Sequence, residues 1–160
     1  MSDSGERPYT VRIGHIRLKV ADLARSIEFY TRYLHMRVVE EPGGDFAFLS
    51  GGDPHHEIAL MKVDDRKRSP SSPAQAGFDH VAFELPGKRE FALAFTTLSE
   101  AGIPLRPVDN GISWGMYFSD PEGNLLELFC DTRYAPGGRA LWEGRTVELT
   151  PEVIEAILAD

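Results

Sequence analysis

Two stretches of the chain alternate apolar and polar residues in the same way. Ile16, Leu18 and Val20 share one face of the first, and Val81, Phe83 and Leu85 share one face of the second. This period-two pattern predicts half-buried strands. A histidine stands at the start of each, His15 and His80, and alternation turns both away from the apolar face. A helical pattern follows each strand. In the first half, Asp22 is an N-cap ahead of Leu23, Ile27, Tyr30 and Leu34; in the second, Phe91, Phe95 and Leu98 precede Gly102, which suits the C′ position. Short strands at Arg37–Glu40, 45–50 and 56–62 complete the first half, divided by Gly43-Gly44 and Gly51-Gly52 turns. Strands at 105–108, 114–119 and 125–130 complete the second, divided by Asn110-Gly111 and Glu122-Gly123-Asn124.

The order in each half is therefore βαβββ, in modules at 11–63 and 78–131. A charged, then Ser/Pro-rich linker at 64–77 joins them. A tail at 132–160 breaks at Ala135-Pro136-Gly137-Gly138. It ends in a short helix announced by Thr150 as N-cap and Pro151 at its first position. The expected architecture is one α+β domain over 1–160, with the two modules forming a curved mixed sheet around a metal-binding cleft.

Composition narrows the class. The chain has 160 residues, a net charge of −8, 42% hydrophobic residues and one cysteine. That suits an ordinary globular domain, and one cysteine cannot build an internal disulfide or a thiolate cage. The acidic balance argues against a nucleic-acid groove or an anionic membrane surface. No apolar run approaches a membrane span, and the polar N-terminus lacks a signal-peptide core, so a cytoplasmic location is expected.

Chemistry concentrates on three residues. His15 and His80 hold matching places in the two modules, and Glu127 sits in Leu125-Leu126-Glu127-Leu128-Phe129, apolar on both faces. A carboxylate there is costly to bury without a partner. One partner is a cation from Arg or Lys; the other is a divalent metal shared with the two histidines. Two imidazoles and a carboxylate form a facial set that leaves coordination positions open. Of the other histidines, His35 follows the first helix and reads as structural or exposed, while His55 and His56 either cap a turn or face the cleft.

The pattern resembles the vicinal oxygen chelate superfamily, which includes glyoxalase I, fosfomycin-resistance transferases, bleomycin-binding proteins and type I extradiol dioxygenases. Tyr117-Phe118-Ser119-Asp120-Pro121-Glu122-Gly123-Asn124-Leu125-Leu126-Glu127 is similar to the extradiol signature, and His55-His56-Glu57-Ile58-Ala59-Leu60 resembles that branch's His-His-x-Leu-Ala stretch. The resemblance implies metal ligation by His15, His80 and Glu127, acid–base work by His56 and hydrogen-bond donation by Tyr117. It implies Fe(II) as metal, with Mn(II) the minority choice, O₂ as co-substrate and a small catechol as substrate.

Asn110 replaces the histidine that the signature places before the tyrosine; it keeps hydrogen-bonding capacity but cannot titrate near neutral pH. Trp114 and Phe129, with Phe46 and Phe48, are candidates for an aromatic wall. Arg133, Arg139 and Trp142 of the tail are candidates for contacts to a polar substrate side chain. A homodimer is expected, because open sheet edges in such folds pair. Two alternatives stand beside this reading: a redox-neutral metalloenzyme of the glyoxalase, epimerase or thiol-transferase kind, and a metal-free binding protein of the same fold.

Overall fold

The computed structural model describes residues 11–64 and 77–159; most of the expected linker lies outside the described residues. Both βαβββ units are present. The first comprises β1 (Ile16–Val20), α1 (Leu23–Tyr33), β2 (Arg37–Glu40), β3 (Phe46–Ser50) and β4 (Ile58–Lys62). The second comprises β5 (Val81–Glu84), α2 (Lys88–Glu100), β6 (Arg106–Asp109), β7 (Ser113–Ser119) and β8 (Leu125–Asp131). β9 (Val147–Glu148) and α3 (Pro151–Glu155) follow in the tail. α1 starts where its cap dictates: the Asp22 carboxylate accepts from the Arg25 amide at 3.0 Å. β9 is too short and polar to show in the hydrophobic pattern. It forms because Val147 and Glu148 lie antiparallel to Asp109 and Val108 of β6.

The strands make two separate sheets, ordered β1-β4-β3-β2 and β5-β8-β7-β6-β9, instead of one continuous curved sheet. Within each, the first strand pairs in parallel with the last of its own module: Ile16 lies opposite Ile58, and Val81 opposite Leu126. β1 and β5 are thus edge strands, and neither pairs with the other. The reason lies in the helices. α1 covers β3 and β4, α2 covers β7 and β8, and the two helices touch each other. Phe29 of α1 reaches Phe118 of β7, with ring centroids 6.4 Å apart. The order is sheet, helix, helix, sheet, around one shared core of Leu18, Leu49, Leu60, Phe91, Leu98, Met116 and Leu126. Each sheet therefore turns its other face outward, away from the helical layer.

A polar tie closes this layer. Tyr30 of α1 is fully buried and donates its hydroxyl to Asp120 at 3.0 Å. Asp120 also accepts from the backbone amides of Glu122 and Asn124 at 2.9 and 2.8 Å, and from the Asn124 side chain at 2.8 Å. One carboxylate thereby shapes the β7–β8 turn and fastens it to the first module. Asp120→Ala strands four buried or turn-forming donors, and should lower unfolding free energy by about 2–4 kcal/mol in urea titrations. Tyr30→Phe leaves Asp120 its three other donors and should cost only about 1 kcal/mol.

Candidate metal centre

The outward face of the second sheet is set by strand alternation. Val81, Leu126, Leu128 and Cys130 turn into the core, so His80, Glu127 and Phe129 turn out. On β7, Trp114, Met116 and Phe118 turn in, and Gly115 and Tyr117 turn out. Tyr117 lies opposite Glu127 in the antiparallel register, and Glu127 lies opposite Ala82 beside His80.

His80 and Glu127 meet: Nε2 lies 2.9 Å from Oε2, and the other ring nitrogen lies 2.7 Å from the Asp79 carboxylate. Glu127 is only 8% exposed, and His80 is the partner that offsets the cost of burying its polar oxygens. Space for the carboxylate comes from Gly115, where an added Cβ would stand 2.5 Å from Glu127 Oε1. Tyr117 packs edge-on to the His80 ring at 5.4 Å. Burial raises the Tyr117 pKa, and the charge of Glu127 and a hydrogen bond to it raise it further, while a hydrogen bond with Asn110 acts the other way. Tyr117 is therefore a neutral hydroxyl at physiological pH. Asn110 is held in turn by the Thr146 hydroxyl at 2.8 Å.

His15 and His56 lie together on the outward side of the first sheet. Their rings are 4.7 Å apart, and His56 also stacks on Phe48 at 4.6 Å. Burial lowers the His56 pKa, and electrostatic interactions with His15, His55 and Arg17 lower it further, which leaves a neutral imidazole near pH 7. Glu57, next to His56 in the chain, points away from this face. Its carboxylate accepts from the Gly51 amide at 2.7 Å and closes the β3–β4 turn.

The expected triad is thus present as two parts. His80 and Glu127 form a donor pair with the chemistry a divalent cation requires. His15 belongs to the other sheet, across the helices, and among the described residues no three His, Cys, Asp or Glu side chains converge on a metal position.

Two further expectations change. Trp114 is not a cleft residue: it stands three positions from Tyr117, which alternation puts on the opposite face. It packs in the core against Phe91 at 5.9 Å, under the Lys88 ammonium at 4.0 Å. In the tail, Arg133 and Arg139 are occupied by Asp131 and Glu143 at 2.6 and 3.3 Å. Trp142 and Thr146 do line the cleft, together with Phe129, Tyr117 and Glu127. Sequence reasoning missed Arg106, whose guanidinium lies 4.6 Å from the Tyr117 ring centre. Its place opposite Tyr117 in the β6–β7 register is the signal that finds it.

Desolvation pulls the His80 pKa down, but hydrogen bonds to Asp79 and Glu127 and their charges outweigh it and hold the imidazole above its ordinary 6.5. A raised folded pKa means the pair's contribution is complete below the unfolded value and fades as pH rises through the folded one. In metal-free protein, NMR titration should place His80 above 6.5, and Glu127→Gln should lower it. Gly115→Ala should lower it too, because its Cβ displaces the carboxylate; an unmoved His80 titration in both variants would show that the contact is not made in solution.

With this geometry in hand, the relatives become informative. The profile of the glyoxalase/bleomycin resistance protein/dioxygenase superfamily matches residues 12–128. Biphenyl-2,3-diol 1,2-dioxygenase 3 of Rhodococcus globerulus is 30% identical over 128 residues, 79% of this chain and 67% of that protein. Catechol-2,3-dioxygenase of Bacillus subtilis is 28% identical over 155 residues, but the match spans only 51% of its length. Metallothiol transferase FosB of Staphylococcus epidermidis is 31% identical over 123 residues, 75% of this chain and 82% of the transferase. Among solved structures, a FosX variant from Listeria monocytogenes complexed with Mn(II) aligns with a TM-score of 0.58 at 21% identity, covering 75% of this chain and 90% of that one. The chain belongs to the glyoxalase/bleomycin resistance protein/dioxygenase superfamily.

Proposed function

We infer that this protein is an extradiol dioxygenase that opens a catechol ring with O₂ at a single Fe(II) held by His15, His80 and Glu127. The observation that carries the reading is the His80–Glu127 pair at 2.9 Å with Tyr117 edge-on beside it, on one open sheet face. When bound, Fe(II) supplies a Lewis acid for the two catechol oxygens and a redox partner for O₂. The chain's own residues do the rest. Asp79 orients the His80 ring through its second nitrogen. Tyr117, kept protonated by burial and by Glu127, would turn its one hydroxyl hydrogen from Glu127 to a substrate oxygen once the carboxylate holds the metal. Neutral His56 accepts a catechol proton and later returns it. Phe129 offers an aromatic face to the ring.

This reading needs His15 to arrive from elsewhere, and a second copy of the chain is the source that fits. Among the described residues the β1 and β5 edges are unpaired, and both are preceded by exposed apolar residues at matching places. Val11 and Ile13 precede β1 at 83% and 86% exposure, and Phe78 precedes β5 at 68%. A twofold dimer that lays the first sheet of one copy against the second sheet of the other makes two equivalent sites. Each takes His15 and His56 from one copy and His80, Glu127 and Tyr117 from the other.

Metallothiol transfer is the second reading, favoured because the match to FosB spans the larger share of that relative. Oxygen-electrode assays with a catechol panel, after anaerobic Fe(II) loading, separate the two. Uptake with a yellow ring-fission product supports ring cleavage, and bound metal without uptake moves the assignment to a redox-neutral transfer. The shared site has its own test. His15→Ala and Glu127→Gln should each be inactive alone, yet unfolding and refolding them together should restore about a quarter of wild-type activity, since only mixed dimers hold one intact site. No restoration would place all three ligands within one copy.

A further inference from the structure

We propose that Arg106 is a specificity residue that selects catechols bearing a carboxylate on a short side chain. The inference rests on the catechol reading and concerns the far end of the same cleft. That cleft is an open groove of about 480 Å³ on the outward face of the second sheet. Its lining carries two charged residues, Glu127 and Arg106. Glu127 is taken up by His80. Arg106 makes no ion pair among the described residues, whereas Arg133, Arg139 and Arg145 of the tail pair with Asp131, Glu143 and Asp109.

Within this cleft, whose one carboxylate is already engaged by His80, the exposed Arg106 guanidinium is the charged group left to meet an anionic ligand. Its central carbon lies over the Tyr117 ring, 4.6 Å from the centre, and none of its N–H groups is hydrogen-bonded among the described residues. Those groups match the two oxygens of a carboxylate.

The spacing fixes the size of the substrate. Arg106 is opposite Tyr117, and Tyr117 is opposite Glu127, so the three form one row across the sheet. Two strand spacings separate the ends of that row by about 10 Å. A catechol with its diol at the His80–Glu127 end and a side chain of two or three carbons toward Arg106 spans that distance. The ring then lies beside Phe129, with Trp142 of the tail bordering it. Trp142 is fixed there by its indole N–H to the Arg145 carbonyl, and Arg145 is tied to Asp109 at 3.8 Å.

The test compares 3-(3,4-dihydroxyphenyl)propionate with 4-ethylcatechol, which share a ring and differ in the carboxylate. Binding is measured calorimetrically on the metal-free protein, and KM by O₂ uptake on the Fe(II)-loaded enzyme. Wild type should prefer the carboxylate. Arg106→Met should weaken the carboxylate about tenfold or more while 4-ethylcatechol stays within about twofold. Arg106→Lys should fall between, because it keeps the charge and loses the fork. Equal losses for both ligands, or no wild-type preference, would overturn the proposal. Arg106-dependent carboxylate binding without O₂ uptake from any catechol would support the subsite and instead sink the dioxygenase reading.

Discussion

The structure turns on the burial of one carboxylate. Glu127 sits on β8, between β5 and β7, and its neighbours on that strand, Leu126 and Leu128, are core residues. An ionised carboxylate in that setting costs several kcal/mol unless it is matched by hydrogen bonds or a cation. Several local features answer that cost. β5 brings His80 alongside, Gly115 gives up its side chain to make room, and Tyr117 turns its hydroxyl toward the same oxygens. The tie from Tyr30 to Asp120 then holds the β7–β8 turn, so the strand that carries Glu127 cannot slip against the one that carries Tyr117.

Much of this could be read from the sequence, because strand alternation and helix periodicity are local properties. Asp22 capped its helix as expected, and all eight module strands formed within a residue or two of their expected positions. Alternation also predicts which side chains share a face, and Trp114 shows the cost of ignoring it. Tyr117 and Trp114 are an odd number of residues apart, so they could not line the same cleft. What the sequence could not convey was long-range. Nothing local says that α1 and α2 pack on each other and set the sheets apart, or that a two-residue strand in the tail pairs with β6. Arg106 became visible only through register, since its role depends on residues opposite it in space.

Comparing the two modules by register explains why the chemistry gathers in one of them. β1 pairs with β4 as β5 pairs with β8, so Ala59 takes the place of Glu127. Phe48 lies opposite Ala59 as Tyr117 lies opposite Glu127, and Phe46 lies opposite Met61 as Gly115 lies opposite Phe129. The first sheet thus keeps the histidine, but has apolar or aromatic groups wherever the second has a carboxylate, a hydroxyl and an empty place. It can contribute imidazoles and aromatic surface, yet it cannot hold a cation by itself. The second sheet has the carboxylate and the hydroxyl donor, yet only one imidazole.

The two faces are therefore complementary, and the helical layer keeps them from meeting inside one chain. Metal affinity in the proposed dimer should then depend on protein concentration, because dissociation removes one of three ligands and exposes the rest to water. Dilution through the dimer–monomer transition, followed by metal competition with a chelator, checks this. Affinity should fall at concentrations where light scattering reports monomer. An affinity that does not change across that transition would mean that the chain can close the site alone, which requires the helices to part.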